Sequence, residues 1–463
     1  MIVVRILLLS LWLSSMSYAS MTSIVQDKMA KLKLKPSKVS VLIRELKSGK
    51  DLVSINTNTL MRPASVIKVL TTYASLIEFG KSYGIPTRVY YHGSYSAGII
   101  DGDLIIKGYG DPTLSKRDIP KIVKRIRRLG IRGFTGDVIL DRSFFHTKDV
   151  ISSGFDKHIY SEYNAMPDAI MFNDHMSRIT LRHRDGEMVA TKSIPDKGYR
   201  IENRVEPSEE SCKGSRSWPR VSIDDSYRQT VVKLSGKISL KCSPRTVSKV
   251  ITKSHMSFYY ALRAEMIRQK MDFHGKVHVA QMPKDAKLLF THRSRELYKI
   301  VSKTAKKSNN LYARHLMLIV GAKRYGAPAT TKKGGRAIED IYAKMGLIER
   351  PKLYMENGCG LSRKSRITAR GLSNILHKAY SKSWRKTLSI AGVDGTIRRR
   401  FARSVAKGRA WMKTGTLADA KNISGYVQSK SSGKLYSLVV LYNGKEKWKA
   451  SGLQNQIINW LAR

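Results

Sequence analysis

A serine and a lysine three positions apart, Ser65 and Lys68, open the most apolar helix that the sequence predicts. Pro63 ends the extended segment before them, Val66 to Phe79 is compatible with a helix, and Gly80 is placed to stop it. A spacing of three puts both side chains on one helix face within hydrogen-bond reach. Val66, Ile67, Val69, Leu70, Tyr73, Ala74, Leu76 and Ile77 run round every side of the cylinder, so the helix is expected inside a large core. A lysine carried into that core loses hydration, and its lowered pKa lets it take a proton from a neighbouring hydroxyl. That is a nucleophile beside its base. Ser-x-x-Lys also arises by chance in long chains, so the reading needs partners.

Two further motifs supply them. Ser308-Asn309-Asn310 stands between two helical segments, where a serine and an amide can point from a short loop at the end of a buried helix. Lys413-Thr414-Gly415-Thr416 begins where the strand Ala410-Trp411-Met412 runs out; its glycine admits another chain close to the strand, and its ammonium and hydroxyls offer donors to an anion. Each is commonplace alone. In this order, Ser-x-x-Lys, Ser-x-Asn and Lys-Thr-Gly combine a nucleophile, a base, a proton relay and a carboxylate clamp.

The elements that must position them lie at the two ends of the chain. Val39 to Leu46 and Leu52 to Ile55 read as a hairpin that leads to the Ser65 helix. Helical periodicity appears at Glu296 to Lys306, Leu311 to Tyr325, Ala337 to Met345 and Thr368 to Ala379. Three antiparallel strands follow, at Ala410 to Lys413, Ile423 to Gln428 and Leu435 to Leu441, with a closing helix from Trp448 to Leu461. The material between has another texture. Strands at Arg88 to Tyr91 and Leu104 to Lys107, a basic amphipathic helix from Asp118 to Leu129 and short strands between Ile179 and Leu240 read as an inserted β-rich block.

At 463 residues the chain is too long for one ordinary core. Lys and Arg outnumber Asp and Glu by 85 to 35, a formal net charge of +50, and such a field attracts polyanions. No zinc-finger spacing, RNP-like run or isolated basic tail accompanies it, so nucleic acid is not indicated as a partner. Residues 1–19 read as an export signal: Arg5, an apolar run from Ile6 to Leu13, then small residues at Ser17 and Ala19. No later stretch has the composition of a membrane span, so the expected product is soluble and periplasmic. In an oxidising compartment Cys212 and Cys242 can pair within one module, leaving Cys359 as a packing residue.

The three motifs in their order resemble the penicillin-recognising serine acyl transferases. About half the chain separates Ser65 from Ser308, and an insertion of that size looks like the class C low-molecular-mass penicillin-binding proteins, the D-alanyl-D-alanine carboxypeptidase/endopeptidase family. Gly110-Asp111-Pro112-Thr113-Leu114, Asp141-Arg142-Ser143-Phe144-Phe145, Glu356-Asn357-Gly358-Cys359-Gly360-Leu361-Ser362-Arg363, Gly392-Val393-Asp394-Gly395-Thr396 and Ser424-Gly425-Tyr426-Val427 are similar to stretches of that family. Asn309 stands where Asp is frequent, and Cys359 where Ser is frequent.

The resemblance implies an α+β fold: a penicillin-binding, serine β-lactamase-like catalytic domain, with an antiparallel sheet between helices, built from residues 20–87 and 288–463. It implies two nested inserted β-rich domains, one from 88–113 and 190–287 and the other from 114–189. It further implies that Ser65 attacks the penultimate D-alanine carbonyl, that Lys68 takes its proton, and that Ser308 relays a proton to the leaving amine under the field of Lys413. Asn310 would hold the substrate amide or orient Lys68. Thr414, Gly415 and Thr416 would bind the terminal carboxylate, with Arg363 as a further substrate contact, and the N–H groups of Ser65 and Thr416 would form the oxyanion hole. No metal or organic cofactor is expected. The implied partners are peptidoglycan stem peptides, β-lactams as covalent inhibitors, and an anionic wall or membrane surface. A serine β-lactamase and a non-catalytic wall-binding protein are the alternative readings.

Overall fold

Alternating and continuous apolar runs at both chain ends assemble one antiparallel sheet of six strands. A computed structural model describes residues 21–463, so the expected export signal lies outside the described residues. The strands stand in the order Ser389–Ile390, Ala410–Leu417, Ala420–Gln428, Leu435–Tyr442, Val39–Glu45 and Asp51–Ile55. Leu435–Tyr442 is the interior strand on which the two chain ends meet: Val440 pairs with Val41 on one side and Ile423 on the other. Side-chain alternation then divides the sheet into two faces. Val41, Ile43, Met412, Ile423, Val427, Leu438 and Val440 face Leu453, Ile457, Ile458 and Leu461 of the helix Lys447–Ala462, together with Val25 and Met29 of the helical residues 21–31. The opposite face carries the helix Ala369–Ala379, where Ser373 Oγ meets Ser437 Oγ at 3.3 Å.

Beyond that face lies the Ser65 helix. It begins as a 3-10 turn at Ala64–Ile67 and continues as an α-helix over Lys68–Phe79, ended by Gly80 at φ 76°. The helices Leu297–Lys307, Asn310–Tyr325, Thr331–Lys344 and Ala369–Ala379 surround it. All-round apolarity is thus met by helix neighbours, although Ile77 remains 39 % exposed. Polar residues of the helix find backbone acceptors inside: Thr71 Oγ1 donates to Gly358 O at 2.7 Å and Thr72 Oγ1 to Lys68 O at 2.6 Å.

Contacts divide the chain into this unit, ending at Tyr83 and resuming at Glu296, and a second unit over Gly84–Arg295. The insertion therefore begins at 84 rather than 88 and ends at 295 rather than 287. Its internal division also differs from the expected nested domain at 114–189. Ile119, Ile122, Val123 and Ile126 of the helix Ile119–Arg128 share one core with Phe258, Leu262 and Met266 of the helix Ser254–Arg268. That core also takes Val89, Leu104 and Ile106 from the long hairpin Gly84–Ser96 and Ile99–Gly108 of a seven-stranded sheet. Residues 114–141 thus belong to the sheet that flanks them in sequence. The separate small core lies later, between two three-stranded sheets spanning Ser177–Lys249, around Ile179, Leu181, Tyr199, Val232, Leu234 and Ile238.

A disulfide joins Cys212 to Cys242 in this small core, with Cα atoms 5.5 Å apart. The link closes a separation of 30 residues, and in the chain-entropy account such a loop contributes about 3 kcal/mol. Reduction is therefore expected to accelerate proteolysis between residues 199 and 249 on the order of 10²-fold. Identical digestion with and without reductant would show that the bridge contributes nothing to this core.

Candidate active site

The geometry of the nucleophile starts with the helix type. In a 3-10 turn residues i and i+3 eclipse, so Ser65 and Lys68 come into line more closely than an α-helix would bring them. Lys68 Nζ lies 2.8 Å from Ser65 Oγ, 2.8 Å from Asn310 Oδ1 and 2.5 Å from the Cys359 carbonyl. A neutral amine has two N–H donors and one lone pair. As an ammonium, Nζ donates to all three oxygens, while Ser65 Oγ donates to the Cys359 carbonyl at 3.3 Å; once neutral, with its two donors on the Asn310 and Cys359 oxygens, it turns its lone pair to the serine hydroxyl. Lys68 is fully buried, and burial, helped by the Arg314 charge, draws its pKa down to about 8.

The turn is held from three sides. Ala64 sits in the left-handed region at φ 47°, a conformation that costs an alanine on the order of 1 kcal/mol and persists only where neighbours enforce it. Gly360, itself at φ 82°, lies so close that a Cβ there would come within 2.0 Å of the Ala64 carbonyl oxygen. On the strand side a Cβ at Gly415 would come within 2.8 Å of Pro63 O and 3.0 Å of the Ser65 nitrogen. Asn422 Nδ2 donates to Arg62 O at 2.8 Å and Pro63 O at 2.9 Å, and Asn443 Oδ1 accepts from the Arg62 nitrogen at 2.7 Å.

The Ser-Asn-Asn segment performs three separate tasks. Ser308 ends the helix Leu297–Lys307 in a left-handed conformation, φ 54°, which turns its side chain out of the helix. Asn309 caps the next helix by accepting from the Tyr312 nitrogen at 2.9 Å. Asn310 is the first residue of that helix and reaches Lys68.

Lys413 completes a second serine–lysine pair. Its Nζ lies 2.8 Å from Ser308 Oγ and 2.7 Å from the Thr414 carbonyl. It too is fully buried, and burial followed by the proximity of Lys68 holds its pKa well below the usual ammonium range. The neighbouring strand Ser389–Ile390 pairs with Trp411 and Met412, so among the described residues Lys413 to Leu417 forms an open strand edge. Thr414 and Thr416 share one face: Thr414 Oγ1 lies 2.9 Å from Thr396 Oγ1, and Thr416 Oγ1 accepts from Lys421 Nζ at 3.3 Å.

Five expected residues, Ser65, Lys68, Ser308, Asn310 and Lys413, therefore form one connected cluster, with Thr414, Gly415 and Thr416 continuing along the strand. Arg363 is exposed, three residues after Gly360. The Cys212–Cys242 bridge belongs to the other unit. Sequence reasoning missed the Cys359 carbonyl, which accepts from Lys68, as well as Thr396 and Lys421. Among the described residues no group of three or more His, Cys, Asp or Glu side chains is placed to hold a metal ion.

The whole described chain has relatives. It is 24% identical over 417 residues to the D-alanyl-D-alanine carboxypeptidase DacB of Haemophilus influenzae, covering 88% of this chain and 86% of that protein. It is 26% identical over 423 residues to a D-alanyl-D-alanine carboxypeptidase of an Actinomadura species, covering 86% of this chain and 77% of that protein. The crystal structure of penicillin binding protein 4 (dacB) from Haemophilus influenzae superposes with a TM-score of 0.78 at 22% identity, covering 95% of this chain and 99% of that one, and so shares its fold. Residues 21–463 match the D-Ala-D-Ala carboxypeptidase 3 (S13) family from end to end, and the chain belongs to that family.

Proposed function

We propose that this protein is an exported serine D-Ala-D-Ala carboxypeptidase, acting also as a DD-endopeptidase on peptidoglycan stem peptides, and that β-lactams acylate the same serine. The observation that carries the reading is the buried Lys68 amine, 2.8 Å from Ser65 Oγ, with carbonyl partners for its other donors. A stem peptide lies along the open edge from Lys413 to Leu417, as an added strand. Its terminal carboxylate meets the Thr414 and Thr416 hydroxyls with Lys413 behind them.

Neutral Lys68 takes the hydroxyl proton as Ser65 Oγ attacks the carbonyl carbon of the penultimate D-alanine. The oxyanion forms against the N–H groups of Ser65 and Thr416, where one donor commonly contributes about 3 kcal/mol to the transition state. The C–N bond then breaks. The leaving amine receives a proton from the Ser308 hydroxyl, Lys413 replenishes it across their 2.8 Å contact, and the proton that Lys68 took from Ser65 passes to Lys413, which leaves Lys68 neutral again. Water enters, Lys68 again acts as base, and the acyl group leaves Ser65 as a carboxylate.

The test is covalent labelling. Incubation with a fluorescent penicillin followed by a denaturing gel is expected to give a lasting band with the wild type and none with Ser65→Ala. A band that fades within minutes would instead identify a β-lactamase, and a band retained by Ser65→Ala would overturn the choice of nucleophile.

The titration of Lys68 fixes the pH profile. Its pKa, lowered to about 8, lies above neutrality, so the reactive neutral form is scarce at low pH. Acylation rates are expected to rise about tenfold per pH unit towards 8 and level off above it. A rate flat from pH 6 to 9 would remove Lys68 from the role of base.

The surplus of +50 charges supports retention on an anionic wall or membrane surface after export. Exposed charges are screened beyond about 8 Å at physiological ionic strength. Adsorption to isolated sacculi is therefore expected to fall steeply with added salt, and binding indifferent to salt would count against retention by charge.

A further inference from the structure

Strand pairing places one more cation beside the proposed carboxylate clamp. Lys421 is the cross-strand partner of Thr416, so the two side chains lie on one face of the sheet, and Lys421 Nζ donates to Thr416 Oγ1 at 3.3 Å. A threonine hydroxyl has one hydrogen and two lone pairs. With the ammonium on a lone pair, the Thr416 hydrogen is left to donate away from Lys421.

The surroundings of Lys421 are themselves cationic. Arg400 is fixed by Asn455 Oδ1 at 2.6 Å and by Gln454 Oε1 and Ser451 O at 3.0 Å. Gln454 Nε2 in turn donates to the Lys421 carbonyl at 2.9 Å, tying the strand to the same helix. Burial, then the charges of Arg400 and Lys447, lower the pKa of Lys421. The acidic residue nearest in sequence, Asp419, is committed to Arg62 at 2.6 Å. An ordinary solvated lysine would swing away from two like charges into water. This one is half-buried and hydrogen-bonded to Thr416, an arrangement that an anion beside it would favour.

We propose that Lys421 is a specificity-determining residue: together with the Thr416 hydroxyl, its ammonium recognises the C-terminal carboxylate of the peptide and sets the preference for a free acid over an uncharged end. The proposal rests on the acyl-transfer reading above and adds to it a residue outside the three motifs.

The test compares wild type, Lys421→Met and Lys421→Arg on an acylated peptide ending in D-Ala-D-Ala and on its C-terminal amide, with thermal melts to compare folding. Lys421→Met is expected to lower kcat/KM for the acid about 10-fold, mainly through KM, and to change the amide less than about twofold. Lys421→Arg is expected to keep most of the acid preference. A ratio of acid to amide unchanged in Lys421→Met, whether both rates fall or neither does, overturns the proposal alone. A wild type that cleaves neither peptide overturns the acyl-transfer reading and this proposal together.

Discussion

Two amines, Lys68 and Lys413, stand fully buried in one core, and burial lowers the proton affinity of both, with the Lys68 charge lowering that of Lys413 further. An isolated ammonium in such a place would cost several kcal/mol even after relaxation. The core is tolerable because each amine has oxygen partners on more than one element: a serine and an asparagine from two helices and a loop carbonyl for Lys68, a serine and its own strand for Lys413. The neighbouring architecture serves that requirement. The Ser65 helix is enclosed by four others, which keeps water from Lys68, and the sheet brings Lys413 up against the same enclosure.

Reactivity is thereby stored in positions that other residues enforce. Ala64 and Ser308 both adopt left-handed conformations without being glycine; the first precedes Ser65, and the second carries the hydroxyl that meets Lys413. The glycines at 360 and 415 are required for proximity, since neither backbone could approach the Ser65 turn past a Cβ. Substituting either would displace the nucleophile before it touched substrate.

Much of this was legible from residue types. A lysine in an otherwise apolar helix cannot be explained by packing, and the paired motifs downstream explained it. Most helices and strands of the catalytic unit fell within a few residues of their expected bounds, because their patterns are long and periodic, but the helix Thr331–Lys344 begins six residues before the expected Ala337, and the helical residues 21–31 and the strand Ser389–Ile390 were not foreseen. The inserted unit was less readable. The helix Ser254–Arg268 went unnoticed because Ser254, His255 and Ser257 are buried along with Phe258 and Leu262, which blurs the polar face that would mark a helix. The misplaced nested domain has a similar cause. A change in composition locates an insertion, but which strands share a core depends on pairings between distant segments, such as Val138–Asp141 with Ile99–Gly108. The Cys359 carbonyl left no trace in the sequence, because every residue carries one. Lys421 was hidden among the other lysines until register set it opposite Thr416.

The central strand of the catalytic sheet has a consequence for how the enzyme is made. Val39–Glu45, near the start of the chain, is paired along its whole length with Leu435–Tyr442, near its end. During synthesis the first hairpin and the Ser65 helix must wait for the strand Leu435–Tyr442 before their sheet exists, while the inserted unit has every strand it needs much earlier. A ribosome that stops short of residue 435 releases a chain that carries Ser65, Lys68, Ser308 and Lys413 without the strand that joins its two ends. Acyl-transfer chemistry is therefore tied to synthesis through the strand Leu435–Tyr442, and a wall-cutting activity does not arise from a product that stops before it.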